Sequence, residues 1–161
     1  MRIREYRSTD RKTVINAIRE LEGLMHDMDP LKRALSRKDF PATKYVRGVF
    51  RRVEKNKGKI FIAEDGDRFA GCIIGMIDDD HDKPPLEKYP TRDGRILELI
   101  VDAQYRSKGV GKALMTAMEK YFLAQKCETI HTDCFGPNKN AHAFYHKLGY
   151  VDRAFFLMKK L

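Results

Sequence analysis

The sequence contains no tryptophan and only three cysteines, and its longest uncharged apolar run, Phe69 to Ile77, is nine residues long. Each shortage excludes something. A membrane-spanning helix needs about 18 or more apolar residues, so no span is expected and no membrane partner. Cys72, Cys127 and Cys134 include no close pair and cannot all pair off, which fits a reducing compartment rather than a disulfide framework. The opening stretch MRIREYRSTDRK has no apolar core, so no secretory signal is expected. The expected location is the cytoplasm.

What is present is ample apolar material. Of 161 residues, 42% are hydrophobic and 34% charged, with nine Phe and seven Tyr. A chain of about 150 residues can bury about 68–70% of its unfolded surface, so it needs neither disulfide nor metal to hold a core. With domains of roughly 100–150 residues, a single domain over 1–161 is expected. The net charge of +9 is local: eleven Lys and Arg lie between Leu31 and Lys59, opposed only by Asp39 and Glu54. That segment reads either as the solvated side of a helix or as a docking face for a polyanion. No aromatic platform interleaves with these charges, so nucleic acid is not the expected partner. Asp78, Asp79, Asp80 and Asp82 form an opposite, acidic cluster in a loop.

Strand and helix patterns alternate along the chain. Arg2 to Arg7 reads as a strand, and Val14, Ala17, Ile18, Leu21 and Met25 recur at helical spacing until Met28-Asp29-Pro30. A second helix carries Tyr45, Val46, Val49, Phe50 and Val53 and ends near Gly58. Ile60 to Ala63 and Phe69 to Ile77 read as strands joined by an Asp65-Gly66 turn. Ile96 to Val101 is apolar on both faces except for Glu98, as in a strand covered on both sides. Val110 to Phe122 forms a helical stripe, and Thr129 to Phe135 reads as a strand. Ala141 to Leu148 reads as a short helix closed by Gly149, and Phe155 to Met158 as a last strand. The class is mixed α/β.

The most informative segment runs from Val101 to Lys112. A buried strand ends, a basic loop with two glycines follows, and an amphipathic helix starts at once. Glycines let backbone N–H groups converge on a ligand, and the helix start adds unpaired donors and partial positive charge. Arg106, Lys108 and Lys112 add full charges. Together these suit a pyrophosphate. A dinucleotide fingerprint would need glycine where Leu114 stands, and Gly111-Lys112-Ala113 lacks the hydroxyl residue of a Walker loop.

Arg106-x-x-Gly109-x-Gly111 after such a strand resembles the coenzyme A pyrophosphate loop of the GNAT acyltransferase superfamily. Downstream, Asn138 to Tyr150 (NKNAHAFYHKLGY) resembles the same family's Asn-x-x-Ala…Tyr-x-Lys-x-Gly-(Phe/Tyr) segment. The resemblance spans Ile96 to Tyr150, with Ala103 where proline is common and Ser107 where glycine often follows the arginine. It implies a mostly antiparallel central sheet of about six or seven strands, about four helices on both faces, and a V-shaped splay after the fourth strand. It also implies transfer of an acetyl group from acetyl-CoA to an amine acceptor, without metal.

By the same resemblance, the main chain of Leu99, Ile100 and Val101 pairs with the pantetheine arm. Arg106, Ser107, Lys108, Gly109, Val110, Gly111 and Lys112 then hold the pyrophosphate, and Asn138 also reaches the coenzyme. Tyr145 is the expected general acid beside the coenzyme sulfur; its spacing with Ala141 and Leu148 also fits a plain core aromatic. The base is Glu98 or Asp133, with Glu98 slightly favoured because burial makes a lone strand carboxylate basic. Either residue could instead be a paired structural carboxylate. Cys134 reads as a small buried hydrophobe rather than an acetyl carrier. His142 and His146 read as surface histidines, since Ala143 stands where a zinc protease has glutamate.

Asp27, Asp29, Asp78, Asp79, Asp80 and Asp82 fall in the regions that set the acceptor in this family, which suggests a small cationic amine. A peptide N-terminus or lysine is the alternative acceptor. A non-catalytic acyl-CoA-binding protein and a polyanion-binding module remain as rivals. A homodimer is an option, with Phe155 or Phe156 contributing.

Overall fold

The computed structural model describes residues 1–80 and 89–160. The chain divides into two compact units: Met1–Ile18 with Pro41–Asp133, and Arg19–Phe40 with Cys134–Leu161.

The first unit is built on one five-stranded sheet in the order β1 (Arg2–Glu5), β2 (Lys59–Asp65), β3 (Arg68–Asp79), β4 (Arg92–Val101), β5 (Thr129–Thr132). The first four strands are antiparallel neighbours, and β5 pairs parallel to β4. Helix α1 (Arg11–Met28) begins in this unit, which also contains α2 (Ala42–Lys55) and α3 (Val110–Ala124). Between β2 and β3 the turn is made by Gly66 and Asp67, with Gly66 in the left-handed region at φ 59°. A glycine leading a two-residue hairpin loop matches the twist of the flanking strands.

Strand β3 is buried without a break from Ala70 to Ile77, which is why its sequence shows no alternation. Helix α3 covers one face. A Cβ added at Gly75 would lie 2.8 Å from Phe122, and one at Gly94 only 2.4 Å from the same ring, so two strands approach this helix through bare backbone. Phe122, Leu114, Met115 and Met118 are fully buried there. Helix α2 packs on β3, with Val46, Val49 and Val53 buried and its basic side chains outward.

In the second unit α4 (Lys139–Lys147) is capped by Asn138, whose side-chain oxygen accepts the Ala141 N–H at 3.1 Å. It ends at Gly149, in the left-handed region at φ 91°. Asp29 closes the loop after α1: its carboxylate accepts the N–H groups of Leu31, Arg33 and Ala34 at 2.9, 2.6 and 2.9 Å.

Three expectations are corrected. The sheet has five strands among the described residues, not six or seven. Phe155 to Met158 forms no strand: Phe155 and Phe156 are 77% and 86% exposed, and residues 151–160 have no regular secondary structure. β-branched or aromatic residues form a strand only where a neighbour supplies the ladder, and among the described residues none does so here. For the same reason β5 stops at Thr132 instead of running to Phe135.

Candidate active site

Strand β4 is irregular where its chemistry lies. Glu98 pairs with Ile74 and Ile96 with Gly75, so Leu97 is one residue more than β3 can match. This β-bulge inverts the alternation of side chains along the strand. Gly94, before it, faces Phe122 of α3, whereas Glu98, after it, faces α2. There the Tyr45 hydroxyl donates to Glu98 Oε1 at 2.6 Å, and the Glu98 residue is only 6% exposed. Cys72, opposite Ile100 and fully buried, has its thiol pushed up by burial first and by the Glu98 charge second.

The ladder between β4 and β5 covers Asp93 to Ile96 and ends there. Its start is pinned by the buried Asp93, which accepts the hydroxyls of Thr91 and Thr129 at 2.9 and 2.6 Å. Glu98 to Val101 therefore pair with β3 alone, and the opposite edge of Leu99, Ile100 and Val101 opens away from β5. Backbone groups on such an edge can pair with an extended ligand.

From that edge the chain passes into the basic turn. Asp102 accepts the Gln104 N–H at 3.0 Å and starts a short 3₁₀ turn, Ala103–Tyr105. Ser107 follows at φ 60° and Gly109 at φ 81°, both left-handed, and α3 begins at Val110. The first bond of the helix is Ala113 N–H to Gly109 O at 3.0 Å, so the N–H groups of Val110, Gly111 and Lys112 precede it. These are the orphan donors of a helix start. Arg106, Ser107, Lys108, Gly109 and Lys112 are exposed. Arg106 Nε reaches Val101 O at 3.4 Å, and Lys108 lies 5.5 Å over the Tyr105 ring. Left-handed backbone, helix-start donors and three cations on one short turn make a donor set suited to a pyrophosphate.

The remaining candidates are placed as follows. Asp133, at the end of the first unit, has a side chain 92% exposed and accepts from Arg95 at 3.1 Å. Asn138 and Tyr145 belong to the second unit, where the Tyr145 ring centre lies 5.5 Å from that of Phe144, edge to face, and 5.6 Å from that of Tyr150, tilted. Burial, and then the charge of Asp152, push the Cys134 thiol up, away from the thiolate a nucleophile requires. Of the acidic residues, Asp27 pairs with Arg37, Asp78 with Arg95 and His131, and Asp79 with Arg92. The backbone donors of Ala34 and Leu31 hold the Asp29 carboxyl below the ordinary carboxylate range. Asp82 lies outside the described residues.

Tyr45 is the residue that sequence reasoning missed. It fell within the apolar stripe of α2, and nothing along the chain links it to a carboxylate 53 positions away. A hydroxyl-bearing aromatic heading a stripe whose other members are aliphatic or Phe was the available signal.

Residues 21–150 match the Acetyltransferase (GNAT) family. The chain belongs to that family. An uncharacterized N-acetyltransferase of Methanocaldococcus jannaschii is 30% identical over 94 residues, 58% of this chain and 53% of that protein. The N-alpha-acetyltransferase 30 of Xenopus laevis is 30% identical over 91 residues, 56% of this chain and 31% of that protein. The chain thus matches about half or less of the length of these GNAT relatives. Among solved structures, a tetramutant of a Bacillus halodurans protein shares the fold at TM-score 0.83 and 19% identity, with all of both chains covered.

Proposed function

We propose that this chain is an acetyl-CoA-dependent N-acetyltransferase acting on primary amines, with residues 1–161 serving as one GNAT acetyltransferase domain. The observation that carries the reading is the bulged, half-paired β4 running directly into a basic, left-handed turn and the start of α3. Acetyl-CoA supplies an acetyl group already activated as a thioester. The chain's own groups do the rest. Main-chain groups of Leu99, Ile100 and Val101 hold the extended arm and orient it, and one N–H polarises the carbonyl oxygen. Ser107 to Lys112 and the cations Arg106, Lys108 and Lys112 hold the pyrophosphate. Asn138 has its side-chain oxygen engaged by the Ala141 N–H, so its amide NH₂ is the group left to meet the coenzyme.

An alkyl amine arrives protonated, with a pKa near about 10, and must lose that proton before it attacks. We assign this to Glu98, buried and oriented by Tyr45. Asp133 is the weaker candidate, since solvent competes for every contact it makes. Tyr145 donates a proton to the departing sulfur, on the strength of the family segment in α4. A small cationic amine is the first acceptor to test. Asp27, Asp78 and Asp79 already face cations of this chain, and one relative is named an N-alpha-acetyltransferase, so a peptide N-terminus is the second.

A thermal melt with and without acetyl-CoA tests the binding half. At 100-fold excess over Kd a specific ligand stabilises by about 2.7 kcal/mol, and roughly 2–4 °C per kcal/mol gives a rise of about 5–10 °C. The rise should vanish in the Arg106→Ala, Lys108→Ala double variant. No rise at millimolar coenzyme rejects the acetyltransferase reading and brings the polyanion reading of the basic segment forward. Acetylation of polyamines against peptides then decides the acceptor.

A further inference from the structure

The acetyltransferase reading gives the histidines of α4 no task. His142 and His146 are four residues apart on that helix, so their rings project from one side. The chain beyond the helix returns Asp152 to the same place. Its Oδ1 lies 2.8 Å from His142 Nε2 and 3.2 Å from His146 Nε2, and the two Nε2 atoms are 3.2 Å apart. Three side chains from two segments converge by one atom each.

Hydrogen bonds alone account poorly for that triangle. If both rings donate to Oδ1, two N–H hydrogens crowd each other across the Nε2–Nε2 edge. If one ring donates to the other, it gives up the carboxylate. A divalent cation at the centre uses all three lone pairs at once. Zinc bonds to imidazole and carboxylate are about 2.0–2.1 Å, which sets neighbouring ligand atoms of a tetrahedron roughly 3.3 Å apart. Two edges are already near that length, and the third has to open by only about half an ångström.

We propose that His142 Nε2, His146 Nε2 and Asp152 Oδ1 bind one divalent transition-metal ion, with Zn²⁺ the best match to two imidazoles and a carboxylate. The three side chains are 42%, 43% and 40% exposed, so a water completes the coordination. Ala143 occupies the place of the catalytic glutamate in a zinc protease, so the ion is not hydrolytic. It is a clip. Asp152 belongs to the stretch 151–160 that has no regular secondary structure, and the ion fastens that stretch to α4. The inference does not depend on acetyl transfer.

Calorimetric titration of the chelator-stripped chain with ZnCl₂ tests it, with Co²⁺ as an optical probe of coordination. The expected result is one ion per chain, a four-coordinate Co²⁺ spectrum, and a melt raised by roughly 5–10 °C at 100-fold excess over Kd. Changing even a group that only hydrogen-bonds to a ligand costs metal sites about 10–100-fold in affinity, so Asp152→Asn and His146→Ala should each weaken binding by at least about tenfold. His131→Ala should leave it intact, because His131 faces Asp78 in the other unit. No binding at millimolar Zn²⁺ would overturn the proposal. So would binding that survives the Asp152→Asn, His146→Ala double variant, which would put the ion elsewhere. All three positions are exposed enough to substitute without loss of the fold.

Discussion

Replacing Tyr45 by Phe removes one oxygen atom and, with it, the 2.6 Å hydrogen bond to Glu98. The bond joins a wet end to a dry one, since Tyr45 is 38% exposed and Glu98 6%. A hydrogen bond to a charged group contributes about 1.5–3 kcal/mol, and the exposure of Tyr45 places this one near the lower limit. At roughly 2–4 °C per kcal/mol, a loss of about 1.5 kcal/mol lowers the melting midpoint by about 3–6 °C. Glu98→Gln preserves size and still offers an oxygen to the hydroxyl, so it should cost less stability. Urea denaturation of Tyr45→Phe, Glu98→Ala and their double variant, each of which removes the bond, gives the coupling energy. For groups in direct contact it should lie between about 0.5 and 3 kcal/mol. In turnover the order reverses. Glu98→Gln should lower kcat by about 10²–10⁴-fold as the loss of a general base, whereas Tyr45→Phe should chiefly move the pH profile. Additive stability effects, together with full turnover by Glu98→Gln, would refute both the pairing and the assignment of the base.

Other consequences are as definite. Gly94→Ala should destabilise the chain by about 1–3 kcal/mol in chemical denaturation, because the new methyl meets the fully buried Phe122 ring at 2.4 Å; adding Phe122→Leu should recover part of the loss. Ser107→Gly should raise stability by roughly 0.5–1 kcal/mol, since Ser107 holds a left-handed φ of 60° that glycine adopts without a Cβ penalty; an unchanged or lower melt would mean the hydroxyl itself supports the turn. Asp10, bonded by the Arg4 guanidinium at 2.7 and 2.9 Å, is held below its ordinary carboxylate range. Its contribution is therefore present above about pH 4 and fades as pH falls through the lowered folded value. The stability gap between the wild type and Asp10→Asn should be constant near neutrality and close on acidification.

Much of the candidate site was legible along the chain because its parts are local. A helix start needs only consecutive residues, so the cations and glycines from Arg106 to Lys112 announce an anion turn before any folding is considered. The same holds for Gly149 as a stop for α4. The strand around Glu98 was also visible, because one charge in an apolar run marks a buried exception. Its partner was not visible. Tyr45 meets Glu98 only because the extra residue Leu97 turns the strand's side chains over, and a bulge depends on the register with β3. The last strand failed for a related reason. Phe155 to Met158 has the composition of a strand, yet a ladder requires a neighbour that composition does not specify.

The sequence by itself determined the α/β alternation, the basic turn, the glycine stop of α4 and the family, since each rests on short-range spacing and backbone preference. Only the tertiary structure decided the five-strand limit, the face that Glu98 presents and the return of Asp152 to two histidines. Those depend on pairing between residues far apart in the chain, where register and packing, not local propensity, choose the partner.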